Sequence, residues 1–162
     1  MKIKNVDNKI VVYLDKKSIN DIDKNDIDDL ENYFQRLFNK IKKYINIELK
    51  GFYNISIYID YNIGTVIEIE KEDLEFISYY NNQIDMKIIK YESIFLFKVD
   101  DILNLKKEIL KKINLYFYKN NYYIEIVDKL SKKEITSFLE FVNLIYDTND
   151  ILEYGKKITN ML

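Results

Sequence analysis

The chain has 162 residues, a net charge of −2 and 48% apolar content, enough to bury one ordinary core or two small ones. It contains no Cys and no His, so disulfide frameworks, thiolate nucleophiles, imidazole bases and Cys/His zinc sites are excluded. The small, evenly spread charge offers no footprint for duplex nucleic acid, and no apolar run approaches the ~18 residues of a membrane span, so a cytoplasmic protein without a membrane partner is expected.

In chain order, Ile3 and Val6, then Ile10-Val-Val-Tyr-Leu14, read as two short strands around the turn-favouring pair Asp7-Asn8. They pair as a hairpin or run as one bent strand. A polar, turn-like stretch to Asn25 follows. Asn25 suits an N-cap, Asp26, Asp28 and Asp29 complement a helix start, and Lys40, Lys42 and Lys43 complement its end. Ile27, Leu30, Phe34, Leu37, Phe38, Ile41 and Ile45 recur at spacings of three and four, which predicts a helix over 26–45 packed on a sheet.

Residues 49–70 carry the clearest period. Ile55, Ile57 and Ile59 alternate with polar residues, Asn62 and Gly64 tolerate positive φ, and Ile67 and Ile69 alternate again, so a hairpin is expected. Residues 71–83 read as a connection, with a helical turn through Leu74 and Ile77 as one option. Ile84, Met86 and Ile88 alternate as an extra strand would.

Phe95, Phe97 and Val99 begin the second half as a strand. A helix from Asp100 or Asp101 to about Ile113 is predicted next, with Ile102, Leu105, Ile109 and Ile113 as its buried stripe and Leu103 and Leu110 widening it. Leu115–Tyr118 and Tyr122–Ile126 flank Lys119-Asn120-Asn121, a tight turn. Ser131 and Glu134 form a capping box for a helix burying Ile135, Phe138, Leu139, Val142 and Ile145. Leu144–Tyr146 could equally close as a short strand. Asn149–Tyr154 reads as one or two helical turns stopped by Gly155 in left-handed geometry.

The expectation is an α+β fold of two small subdomains, 1–70 and 92–162, each an antiparallel few-stranded sheet packed with helices, joined by 71–91. The acidic group Asp21, Asp23, Asp26, Asp28 and Asp29 lacks the spacing of an EF-hand and reads better as a helix start than as a metal site. The glycines, at 51, 64 and 155, stand too far apart to cradle a phosphate. No catalytic, cofactor or metal residues are assigned, and an enzyme is not expected. Tyr116, Phe117, Tyr118, Lys119, Tyr122 and Tyr123 mix aromatics with a base, which suits sheet packing first, a protein-binding surface next, and a single-stranded nucleic-acid surface last.

Glu48-Leu-Lys-Gly51-Phe-Tyr-Asn-Ile-Ser-Ile, with Gly64 before Val66-Ile-Glu-Ile, resembles the N-terminal domain of the MecA family of bacterial Clp adaptors. Phe95-Leu-Phe-Lys-Val-Asp-Asp, Leu115-Tyr-Phe-Tyr-Lys-Asn-Asn-Tyr-Tyr-Ile-Glu-Ile126 and Leu152-Glu-Tyr-Gly-Lys-Lys-Ile158 are similar to that family's C-terminal domain. The family tends to have a Pro and an aromatic after Gly51, where this chain has Phe52-Tyr53-Asn54, and a long acidic linker where this chain has a short connection. The resemblance implies a non-enzymatic adaptor in regulated proteolysis. Its N-terminal half would hold a client and its C-terminal half a Clp-type AAA+ unfoldase, with Tyr116, Tyr118, Tyr122, Glu153 and Tyr154 as partner-binding residues. The alternative is a binding or inhibitory protein for another macromolecule, of phage or mobile-element type, or a single-stranded nucleic-acid binder.

Overall fold

The computed structural model describes residues 1–6, 9–22, 26–45, 50–72 and 84–158. Residues there form two compact units, Met1–Glu92 and Ser93–Leu162. Each is built on one five-stranded sheet with helices, an α+β arrangement. The readings that fall on Asp7-Asn8, Asp23, Asn25, Leu74 and Ile77 lie outside the described residues.

In the first unit β1 (Lys2–Val6) and β2 (Lys9–Asp15) pair antiparallel. The segment after β2 is more ordered than a polar loop. Asp15 accepts the Lys17 N–H at 3.0 Å to open a 3-10 turn, and α1 (Ile19–Ile22) follows. Ile19 and Ile22, three residues apart, both reach the core only if the backbone between them is helical.

Helix α2 (Ile27–Ile45) opens where the Asp26 carboxylate accepts the Asp28 N–H at 2.9 Å. Its stripe of Leu30, Phe34, Leu37, Phe38 and Ile41 is buried against Ile10, Val12, Tyr53, Ile55, Ile57, Ile59, Ile67 and Ile69. Those sheet residues come from one face of β2, β3 (Gly51–Asp60) and β4 (Gly64–Glu72).

The turn between β3 and β4 depends on Asp60. Its carboxylate accepts the N–H groups of Asn62, at 2.8 Å, and Ile63, at 3.1 Å. Asn62 is not left-handed; the positive φ falls on Gly64, at 150°, with Gly51 at 107° opening β3. A Cβ on Gly64 would run into the Leu14 carbonyl oxygen.

Strand β5 (Ile84–Glu92) completes the order β1-β2-β4-β3-β5 and lies parallel to β3, the one parallel pairing described in a sheet otherwise antiparallel. Its Ile84, Met86 and Ile88 pack onto the core.

The second sheet has the order β10-β7-β8-β6-β9, all antiparallel. Its strands are β6 (Leu96–Val99), β7 (Ile113–Tyr118), β8 (Asn121–Ile126), β9 (Val142–Ile145) and β10 (Lys156–Ile158). The helix expected over 101–113 is replaced by a 3-10 turn, Ile102–Asn104, and the short α3 (Lys107–Leu110). Asp101 caps Leu103 N–H at 2.9 Å, Leu105 then leaves helical geometry at ψ 139°, and Ile113 already belongs to β7. Leu105 and Ile109 are buried while Leu103 is 91% exposed, so two local turns bury what one helix was expected to bury.

Helix α4 (Lys132–Leu139) carries the capping box of Ser131 and Glu134. It ends earlier than its apolar pattern suggests: Val142 and Ile145 sit in β9, and only Phe138 is buried on it, with its ring 5.1 Å from that of Phe97. Helix α5 (Asn149–Tyr154) is followed by Gly155 at φ −71° and ψ 140°, extended and not left-handed. Glycine is needed there because a Cβ would strike the Ile151 carbonyl oxygen. Thr148, which is buried, donates to Ile94 O at 2.7 Å, and Ser93 donates to Tyr146 O at 2.7 Å, tying the start of the unit to α5.

Gly64→Ala is expected to lower unfolding free energy by about 1–3 kcal/mol in urea titration, because the positive φ and the carbonyl contact both oppose a Cβ. Glu134 offers a pH test. The Ser131 N–H at 2.7 Å, then the Lys112 ammonium at 2.9 Å, hold its carboxyl at about 2, below the usual 4.5. A depressed folded pKa stabilises above the unfolded value, and that contribution is lost as pH falls from about 4.5 toward about 2. Glu134→Gln should therefore flatten the acid limb of a stability–pH curve measured by denaturation.

Candidate functional site

The aromatic hairpin of the second unit turns on Lys119 and Asn120, with φ of 44° and 63°. Two successive left-handed residues make the two-residue turn whose twist matches the strands it joins. Asn121 steadies it by donating from its side chain to Lys119 O at 2.8 Å. The register pairs Tyr116 with Tyr123 and Phe117 with Tyr122. Alternation then sends Tyr116, Tyr118 and Tyr123 to one face and Phe117 and Tyr122 to the other.

On the first face Tyr123 joins Leu96 and Ile151 of α5 in a buried cluster, with Tyr116, Tyr118, Ile145 and Leu152 packed around it. The Tyr116 hydroxyl donates to Glu125 Oε2 at 2.9 Å, and Asn114 donates to the same oxygen at 2.8 Å. Burial, with the Glu125 bond, pushes the Tyr116 phenol up to about 12. It is a structural tyrosine, with Lys157 Nζ 5.8 Å from its ring.

Further out the surface is charged. Lys119 Nζ lies 4.9 Å over the Tyr118 ring, and a hydrogen bond to the Tyr118 phenol, with Asp150 adding attraction, raises its pKa. Tyr154 is 67% exposed, and a hydrogen bond to Glu153 raises its phenol, with Asp150 and Tyr118 adding to the shift. Tyr118, Lys119, Asp150, Glu153 and Tyr154 thus form one surface of phenols, an ammonium and carboxylates at the hairpin tip and α5.

Tyr122 stands apart from that group. Its ring is 5.0 Å from that of Phe117, and with Lys156, Lys157 and Ile158 the pair lines an open depression of about 400 Å³. The sequence alone groups Tyr122 with Tyr116 and Tyr118 and gives Lys156 and Ile158 no role of their own. Part of the signal was there, since Tyr122 has the opposite parity to Tyr123; the pairing of Lys156–Ile158 on β7 follows from the extended Gly155 that the structure shows.

Chemically these surfaces suit recognition. Among the described residues no three Asp or Glu side chains come together as metal ligands; of the acidic group at the start of the chain, Asp26 is engaged in capping α2. No helix among them is long and apolar enough to cross a membrane. No family model, curated protein or solved structure matches the chain.

The two kinds of tyrosine can be told apart by stability. Tyr116→Phe removes a partly buried hydrogen bond and is expected to cost about 1 kcal/mol in chemical denaturation. Tyr154→Phe, at an exposed position, is expected to stay within about 0.5 kcal/mol of the parent.

Proposed function

We propose that this chain is a non-enzymatic adaptor, holding a client on its first unit and a Clp-type AAA+ unfoldase on its second, in the cytoplasm. The observation that carries the reading is the surface formed by half-buried Tyr118 with the exposed Lys119, Glu153 and Tyr154. Phenols are effective anchors in protein interfaces because they bury large area at low entropic cost while keeping a polar tip. The resemblance of both halves to MecA-type adaptors names the partner, and the separate cores of the two units suit a protein that binds two things.

Calorimetry of the full chain against a Clp unfoldase tests this. Binding is expected, with Tyr154→Ala weakening it about tenfold or more, the scale of an interface anchor worth at least ~1.4 kcal/mol. Absence of heat and of co-sedimentation with the unfoldase would sink the adaptor reading.

A second reading rests on the other face. Phe117 and Tyr122 beside Lys156 offer an aromatic platform with positive charge, the combination that holds single-stranded nucleic acid. Titration with a labelled oligothymidine at two salt concentrations decides it, since such binding must weaken steeply with salt.

A further inference from the structure

We propose that the outer edge of β9 takes up an extended segment of a partner protein as an added antiparallel strand, with two of its apolar side chains seated on α4. The site lies on the second unit, at the sheet edge away from β10, and does not depend on the adaptor reading.

The hairpin turn sets the direction of the backbone groups throughout this sheet. Tyr118 and Asn121 close a two-residue loop and so exchange hydrogen bonds. N–H and C=O of one strand residue point the same way and successive residues alternate, so Tyr122 and Ile124 turn toward β6. The Val127 N–H, bonded to Lys112 O at 2.9 Å on the β7 side, keeps the same phase. Phe97 and Val99 pair with Ile124 and Tyr122 and turn toward β8, which leaves Leu96 and Lys98 to bond Ile145 and Asn143 of β9. Val142 and Leu144 therefore direct their N–H and C=O groups away from the sheet. Among the described residues none of these four groups has a hydrogen-bond partner, and β9 lies well inside the described stretch 84–158. Such an edge is a template for another strand.

An apolar flank stands beside the edge. Leu144 pairs with Phe97, whose ring meets that of Phe138, so Val142 and Leu144 carry their side chains on the α4 side. Glu134 faces inward to Lys112, the residue before β7. On a helix Ile135 and Leu139 fall on the other side of Phe138 from Glu134, which turns them toward β9 and beyond it. They are 41% and 53% exposed, and Phe141 at the turn into β9 is 40% exposed. Residues of an added strand opposite Leu144 and Val142 would place their side chains on the same face, over Ile135 and Leu139.

These features specify the occupant. The unbonded ladder fits a polypeptide in extended form, and the flank fits apolar side chains two residues apart. Lys132, exposed and on the same flank as Ile135 and Leu139, has no carboxylate partner among the described residues, and so favours an acidic residue beside them. Phe138 meets the partner of Leu144 while Val142 follows four residues later, so the chain folds back and Lys132 lies toward the Ile145 end. An antiparallel strand meets that end with its N-terminal residues.

The probe is acetyl-Glu-Thr-Val-Thr-Val-Thr-amide, titrated into the full chain and followed by heteronuclear NMR. It is expected to bind with Kd below about 1 mM and to shift the amide signals of Val142 and Leu144. N-methylation of both valines, whose N–H groups point to β9, should weaken binding about tenfold or more, and N-methylation of the threonine between them should leave it within about twofold. Leu139→Lys should weaken it about fivefold or more with unchanged far-ultraviolet dichroism. A probe with lysine in place of glutamate should bind the parent more weakly and Lys132→Glu more tightly. Absence of binding, equal binding of the valine-methylated peptide, or binding untouched by Leu139→Lys would each overturn the proposal. So would a parent that dimerises in sedimentation velocity and loses the dimer on Leu139→Lys, which would assign the edge to a second copy.

Discussion

Ile55, Ile57 and Ile59 reach the core because successive residues of a strand face opposite ways, and Phe34, Phe38 and Ile41 meet them because a helix repeats its face every three to four residues. The meeting of these two periods decides most of the first unit. It sets which side of the sheet receives α2, and it requires β3 and β4 to stay in register, since a slip of one residue would turn the isoleucines out to solvent. Gly64 and the Asp60 carboxylate hold that register at the turn.

Alternation also governs the second unit, with a different result. There the residues that alternate are largely tyrosines, and both kinds of position can accept one. Tyr123 is buried with Leu96 and Ile151, Tyr116 spends its hydroxyl on Glu125, and Tyr118 extends to the charged rim with Lys119 and Tyr154. A phenol at the rim keeps both an apolar ring and a hydrogen-bonding tip. The phenol of Tyr116, pushed up to about 12, stays protonated at physiological pH.

Much of this was legible in the residues. The hairpins, α2, the capping box of Ser131 and Glu134 and the α+β class follow from period and cap chemistry, which act over a few neighbours. The failures share a cause. Ile102, Leu105, Ile109 and Ile113 fit a helix as well as they fit two short turns and a strand start, because spacing records only that they are buried. Val142 and Ile145 likewise fit the face of α4 until β6 takes them as partners in β9. Gly155 was read as a left-handed stop, yet its need is for space beside the Ile151 carbonyl, a contact made by chain geometry.

The sequence by itself determined most of the strands, the long helix, the tight turn at Lys119-Asn120 and the chemistry that is absent, since these rest on local dihedral preference and side-chain type. Only the tertiary structure decided that β5 runs parallel at the edge of the first sheet and that Lys156–Ile158 close beside Phe117 and Tyr122. Those are questions of which distant segment supplies the partner. A period along the chain states that a face must be covered, while the backbone hydrogen bonds between strands determine what covers it.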